Sequence, residues 1–120
     1  MPTLNPTPTR IPVPGGKLIE EHLGLASTAY AGASVAYMTA PANWTEPYQA
    51  PAFDELTLVL SGTVLVDSAE GRLAVTAGQS VLTRAGERIR YSTGAEGAQY
   101  VAVCVPAFSP ETVHREDEQA

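Results

Sequence analysis

From Lys17 onward, apolar and polar residues alternate in short runs, and glycine or proline breaks each run. The clearest run is 53–60 (FDELTLVL), in which Glu55, Thr57 and Val59 share one side and Leu56, Leu58 and Leu60 the other. A period of two is the mark of a β-strand, whose side chains point to opposite faces in turn. Residues 63–67 (TVLVD), 72–76 (RLAVT), 80–84 (SVLTR), 88–92 (RIRYS) and 100–105 (YVAVCV) read as further strands. Residues 33–39 (ASVAYMT) alternate small and large side chains, and 18–22 is a weaker candidate. Ser61-Gly62, Ala69-Glu70-Gly71, Ala77-Gly78, Ala85-Gly86-Glu87 and residues 93–97 read as turns, where glycine supplies positive φ. Residues 41–51 (PANWTEPYQAP) form a loop or irregular edge, because proline gives a sheet no donor. Many short strands at this spacing predict an all-β sandwich or closed barrel. A helix is expected only at the end, where Ser109-Pro110-Glu111 resembles an N-cap and first turn and 111–118 would follow as a short helix.

The chain has 120 residues, which suits one domain. The pattern divides it into an extended proline-rich segment (1–16), a β domain (17–108) and a C-terminal helical, polar tail (109–120). Net charge is −6, which argues against nucleic acid or an anionic membrane as partner, since both demand a basic face. A small-molecule ligand is the expected partner by exclusion. Cys104 is the only cysteine, so no intramolecular disulfide or cysteine-rich metal site forms. With no apolar leader in 1–16, a cytoplasmic setting is expected.

The turn spacing narrows the fold. Glu55 is followed by six residues and then Gly62; fifteen residues separate Gly62 from Gly78; five more precede Arg84-Ala85-Gly86. This resembles the double motif of the cupins, and the resemblance covers roughly residues 33–106. It implies the cupin double-stranded β-helix, a jelly-roll-like antiparallel barrel. The motif's metal-binding residues are missing. Its His-x-His pair falls on Tyr48 and Ala50, or on Gln49 and Pro51, and its later histidine on Ile89. Three of the four usual metal ligands are therefore absent, and the expectation is a metal-free protein without a cofactor. The ethanolamine-utilisation cupins also lack these histidines, and the chain is similar to them and to small bacterial cupins with a PAFSP-type tail, here residues 106–110.

The resemblance implies that Glu55 points into the barrel, which would carry Thr57 inward and leave Leu56, Leu58 and Leu60 for another layer or a second subunit; a homodimer is expected. A carboxylate in an apolar enclosure is a candidate general acid or base. Tyr48 and Tyr91 are candidate catalytic phenols, and Trp44, Glu46, Thr57, Arg90, Cys104 and Phe108 are candidate substrate-binding residues. Carrying the motif onto Ile89 puts Ile89 and Tyr91 inside and Arg90 outside; a one-residue bulge near Gly86 would instead turn Arg90 toward Glu55. Cys104 reads as a small buried hydrophobe more than a nucleophile. The expected function is metal-independent acid–base chemistry, such as isomerisation, dehydration or cyclisation of a small oxygenated metabolite. The alternatives are a non-catalytic binding or accessory cupin and, with least support, a metal-dependent dioxygenase or isomerase. Lys17, the single lysine, lies before the barrel and no glycine-rich phosphate loop accompanies it, so kinase chemistry has no support.

Overall fold

A computed structural model describes residues 1–116. Its strands are β1 (Thr9–Ile11), β2 (Leu18–Leu23), β3 (Ser34–Ala40), β4 (Asp54–Ser68), β5 (Gly71–Thr76), β6 (Ser80–Thr83) and β7 (Arg90–Val105); a four-residue helix α1 (Leu25–Thr28) follows β2. All pairings are antiparallel. They form one sheet in the order β1-β2-β3-β7-β4-β5, with β6 also on β4. β4 is the hub. Its first half lies between β6 and the end of β7, and its second half between β5 and the start of β7. The antiparallel all-β architecture follows the sequence pattern. The hydrogen-bonded path is open among the described residues, however, running from β1 to β5 without returning, where the sequence predicts a closed barrel.

Two predicted turns are not turns. The chain passes straight through Ser61-Gly62 and through 93–97, so β4 and β7 are each a single long strand. The register shifts between Val59 and Ser61 and again between Gly62 and Val64. Gly62 (φ 73°) and Gly97 (φ 68°) are left-handed. A Cβ on Gly62 would overlap the Gly97 carbonyl oxygen, and one on Gly97 would lie 2.6 Å from the Ala40 oxygen. Glycine here serves close backbone approach within a bulged ladder, not chain reversal.

The predicted helical tail is also corrected. After Ser109 there is only a 3-10 turn, Pro110–Thr112. The backbone beyond it is drawn into pairing with the 48–52 loop. Ala52 N–H donates to Thr112 O (2.8 Å), Ala50 N–H to His114 O (3.3 Å) and Glu116 N–H to Tyr48 O (2.7 Å). Carbonyls that an α-helix would use for its own ladder are thus spent on the loop. The last residues of the expected helix lie outside the described residues. At the other end, β1 docks on β2 as an edge strand, which suits a proline-flanked segment.

The alternation of β4 is as the pattern predicts. Glu55, Thr57 and Val59 are buried, while Leu56, Leu58 and Leu60 are 47%, 45% and 48% exposed. Inward residues of β4 and β7 meet Trp44 and Ile89 in the main core, and Phe53, Cys104 and Val113 form a second cluster. Ile89 and Tyr91 face inward, so the bulge that would reverse Arg90 is absent.

Arg90 reaches across the ladder to Asp67, 3.0 Å from its carboxylate, and Arg72 approaches the same group at 2.7 Å. Hydrogen bonds from Arg72 first, and then from Arg90, hold the Asp67 carboxyl down at about 2. A depressed acid adds stability above its ordinary value of 3.8, and that stability is lost as pH falls toward 2. Asp67→Asn is therefore expected to lower the thermal midpoint at pH 7 and to flatten its fall between pH 4 and 2. An unchanged acid limb in a thermal-melt series would exclude this.

Candidate functional site

β4, β7 and the 41–53 loop bring the polar interior residues together. Glu55 is 8% exposed. It stands opposite Cys104 of β7 on one side and Thr83 of β6 on the other. The Thr83 hydroxyl is 2.8 Å from the Tyr91 phenol oxygen. With Lys17, Glu46 and Gln49, residues Glu55, Tyr91 and Cys104 line an inner chamber of about 40 Å³. That is room for a few water molecules at most. An outer cleft of about 620 Å³ adjoins it, lined by Trp44, Glu46, Tyr48, Arg90 and Arg115 among others. Lys17, Ile19, Glu46 and Arg115 line both spaces. They form the neck between cleft and chamber.

Opposite charges meet at the neck. Burial pushes the Glu55 carboxyl up to about 7; Lys17 pulls it back, Glu46 adds to the rise and the Tyr91 phenol lowers it. Burial also raises Glu46, against the pull of Lys17 and Arg115. Burial acts to lower Lys17, but Tyr100, Glu46 and Glu55 outweigh it, so the ammonium titrates above its usual range. Its Nζ lies 4.4 Å from the centroid of the Trp44 ring and 5.3 Å from that of Tyr100. Tyr91 is raised well above an ordinary phenol, by burial first and then by Glu55. Burial raises the Cys104 thiol too, which keeps it protonated and unsuited to nucleophilic attack.

The sequence candidates divide between the two spaces. Glu55, Tyr91, Glu46 and Cys104 share the chamber, and Phe108 lies at its edge, packed edge-to-face on Phe53 at 6.1 Å. Trp44, Tyr48 and Arg90 belong to the cleft, with Glu46 common to both. Tyr48, a candidate catalytic phenol, is a cleft residue covered by Arg88 at 3.8 Å and Arg90 at 4.7 Å from its ring. Arg90 is not an anion clamp for Glu55, because Asp67 holds it. Thr57 is buried beside the chamber residues, and its hydroxyl has no hydrogen-bond partner.

Sequence reasoning placed neither Lys17 nor Arg115 in the site. For Lys17 the signal existed, since Ile19 and Glu21 are both buried and Lys17 precedes them on the same face at period two. Arg115 carried no such signal, because only the folding of the tail onto the loop delivers it.

The residues do not fit the divalent metal that ordinary cupins hold. Ile89, at a ligand position, is 1% exposed in the core, and the Lys17 ammonium lines the chamber that an ion would share. Both histidines, His22 and His114, are exposed. Among the described residues no group of three or more His, Cys, Asp or Glu side chains could hold a metal ion. No described helix is long and apolar enough to cross a membrane.

No family model matches the chain. Endoribonuclease YbeY of Myxococcus xanthus is 44% identical over 107 residues, covering 88% of this chain but 36% of that protein. The chain thus spans about a third of the length of the curated relative it matches. Among solved structures, a variant of Streptomyces PAC13 with uridine superposes with a TM-score of 0.75 at 13% identity, covering 94% of this chain and 88% of that one. An ethanolamine-utilisation protein Q from Salmonella typhimurium gives 0.67 at 17% identity, covering 89% and 100%. These neighbours are cupin-type proteins, and the fold of this chain is a cupin fold.

Proposed function

We propose that this protein is a metal-independent cupin that carries out acid–base chemistry on a small oxygenated metabolite. The substrate occupies the outer cleft and presents its reacting end to Glu55 through the neck. The observation that carries this reading is the Glu55 carboxyl, walled in beside the Tyr91 phenol and titrating near 7, where a group gives and takes protons with equal ease. Tyr91, kept protonated, donates to a substrate oxygen, while Trp44, Tyr48 and Arg90 shape the cleft. Isomerisation, dehydration and cyclisation are the reaction types such a pair supports. The test is to identify by mass spectrometry what the purified protein retains, then to follow its conversion by wild type and by Glu55→Gln. Equal rates in the two proteins overturn the reading.

The small volume of the chamber favours a second reading, in which the cleft binds a metabolite without turning it over. A retained molecule that never changes in the presence of wild-type protein supports that alternative. The ribonuclease activity named for the Myxococcus relative belongs to a much longer protein. A net charge of −6 opposes binding of a phosphate backbone.

A homodimer through the outer face of β4 is part of the same proposal. Leu56, Leu58, Leu60 and Leu82 form a half-exposed apolar patch, with Leu56 opposite Leu82 across the ladder. Leu58→Glu is expected to convert the dimer to monomer in light scattering and to leave the circular dichroism spectrum unchanged. A wild-type protein that is already monomeric at high concentration excludes the dimer.

A further inference from the structure

We propose that the neck between cleft and chamber is a binding site for a small carboxylate, with Lys17 and Arg115 as its anchors. This rests on the reading that cleft and chamber form the functional site, and it adds the chemical class of the ligand.

The cations around the cleft are not equivalent. Arg88 is engaged by Glu116 through two nitrogens, and Arg90 by Asp67. Arg115 approaches Glu46 only at 4.0 Å and Gln49 Oε1 at 3.5 Å. Lys17 closes no ion pair among the described residues; the Trp44 and Tyr100 side chains hold it. Aromatic faces fix where an ammonium sits but leave its N–H donors free for a ligand. Lys17 is half-buried and Arg115 exposed, so a ligand entering from the cleft can reach both.

Local charge points the same way. Two cations, Lys17 and Arg115, flank Glu46, and Glu55 is only partly ionised at neutral pH. The neck therefore holds a surplus of positive charge that one carboxylate would neutralise. The Tyr100 hydroxyl, on a side chain 2% exposed beside Lys17, has no well-formed hydrogen bond and can donate to the same ligand oxygen. Glu46 Oε2 is likewise buried and unpartnered, and it can accept from a hydroxyl on the ligand.

The N-terminal arm builds this site. Val13, Pro14 and Gly15 line the cleft. Gly15 and Gly16 are both left-handed (φ 86° and 81°) and turn the chain over the edge of Trp44, where a Cβ on Gly15 would lie 3.2 Å from the indole. Lys17 follows at once and projects into the neck.

Trp44 is the only tryptophan in the chain and carries Lys17 on its ring, so its fluorescence reports on the neck. The full-length protein is titrated at constant ionic strength with acetate, lactate and oxalate, each compared with its neutral amide: acetamide, lactamide and oxamide. At least one carboxylate is expected to give a saturable change that its amide does not. Calorimetry with that carboxylate should show at least about tenfold weaker binding in Lys17→Met and in Arg115→Met, and near wild-type binding in Lys17→Arg, the scale of one lost charge-assisted contact. The proposal is overturned if none of the three carboxylates saturates, if the amide binds as well as its acid, or if both methionine variants bind like wild type. The acid–amide comparison uses unaltered protein, so it stands even if a variant fails to fold. Glu55→Gln separates the two readings: it should retain carboxylate binding while losing turnover. Failure of Lys17 and Arg115 as anchors thus leaves the role of Glu55 to its own measurement.

Discussion

Glu55→Gln is expected to fold normally and to lose turnover by about 10²–10⁴-fold, the usual contribution of a positioned general acid or base. The same substitution should change how stability depends on pH, and this needs no substrate. The Glu55 carboxyl titrates near 7 in the folded chain, against an ordinary 4.5. Its folded value is the higher one, so its favourable contribution is complete below 4.5 and disappears as pH rises through 7. A tenfold change in proton affinity is worth about 1.4 kcal/mol, so the wild type loses on the order of 3 kcal/mol across that window. Lys17, Glu21, Glu46, Tyr91, Cys104 and Arg115 line the chamber with the group and Thr83 pairs with it across the ladder; Lys17 is the cation that acts on it. Glutamine cannot ionise, so the variant should be the more stable protein at pH 8 and the two should converge near pH 4.5. Parallel urea titrations at the two pH values decide the matter. Curves that stay parallel from pH 4.5 to 8 would remove Glu55 from the enclosed site.

Gly62→Ala should be the most damaging of the small substitutions. A left-handed backbone costs a residue with a Cβ about 1–2 kcal/mol, and forced overlap in a packed interior adds about 1–3 kcal/mol. At Gly62 both penalties apply, because the added methyl would strike the Gly97 carbonyl in the adjacent strand. Gly71 and Gly78 are left-handed too, but nothing lies within 4 Å of the Cβ position at either. Alanine at those sites should carry the backbone cost alone. Thermal melts of the three variants should therefore rank Gly62→Ala clearly lowest. Equal losses at all three positions would show that the close crossing of β4 and β7 has no energetic consequence.

The β-strand pattern was legible because burial on one face imposes a period of two. In β4 that period located Glu55, Thr57 and Val59 inside and three leucines outside. Gly62 and Gly97 were legible as special positions but not as to their use. A glycine at a turn and a glycine where two strands nearly touch leave the same mark on a sequence. The tail failed for a different reason. Ser109-Pro110-Glu111 is a genuine helix-start signal, but it is local, and pairing with the 48–52 loop outcompetes it. The site was half legible. Glu55, Glu46 and Tyr91 follow from alternation and from the motif. Lys17 was set aside because it precedes the main strands, although it directly precedes β2 in phase with the buried Ile19 and Glu21. Tyr48 lies in the cleft against Arg88 and Arg90, a long-range arrangement that spacing does not encode.

The route of β7 also bears on the order in which the molecule assembles. Its end pairs with both β3 and β4, matching Ser34 with Cys104 and Asp54 with Val105. Neither of those central ladders can complete until β7 has been made. Partners so distant along the polypeptide make for slow acquisition of structure. On the ribosome, the edge of β4 that pairs with β7 must therefore wait, with its backbone groups unpaired, until β7 emerges, and this is the interval in which the nascent chain is most exposed to aggregation.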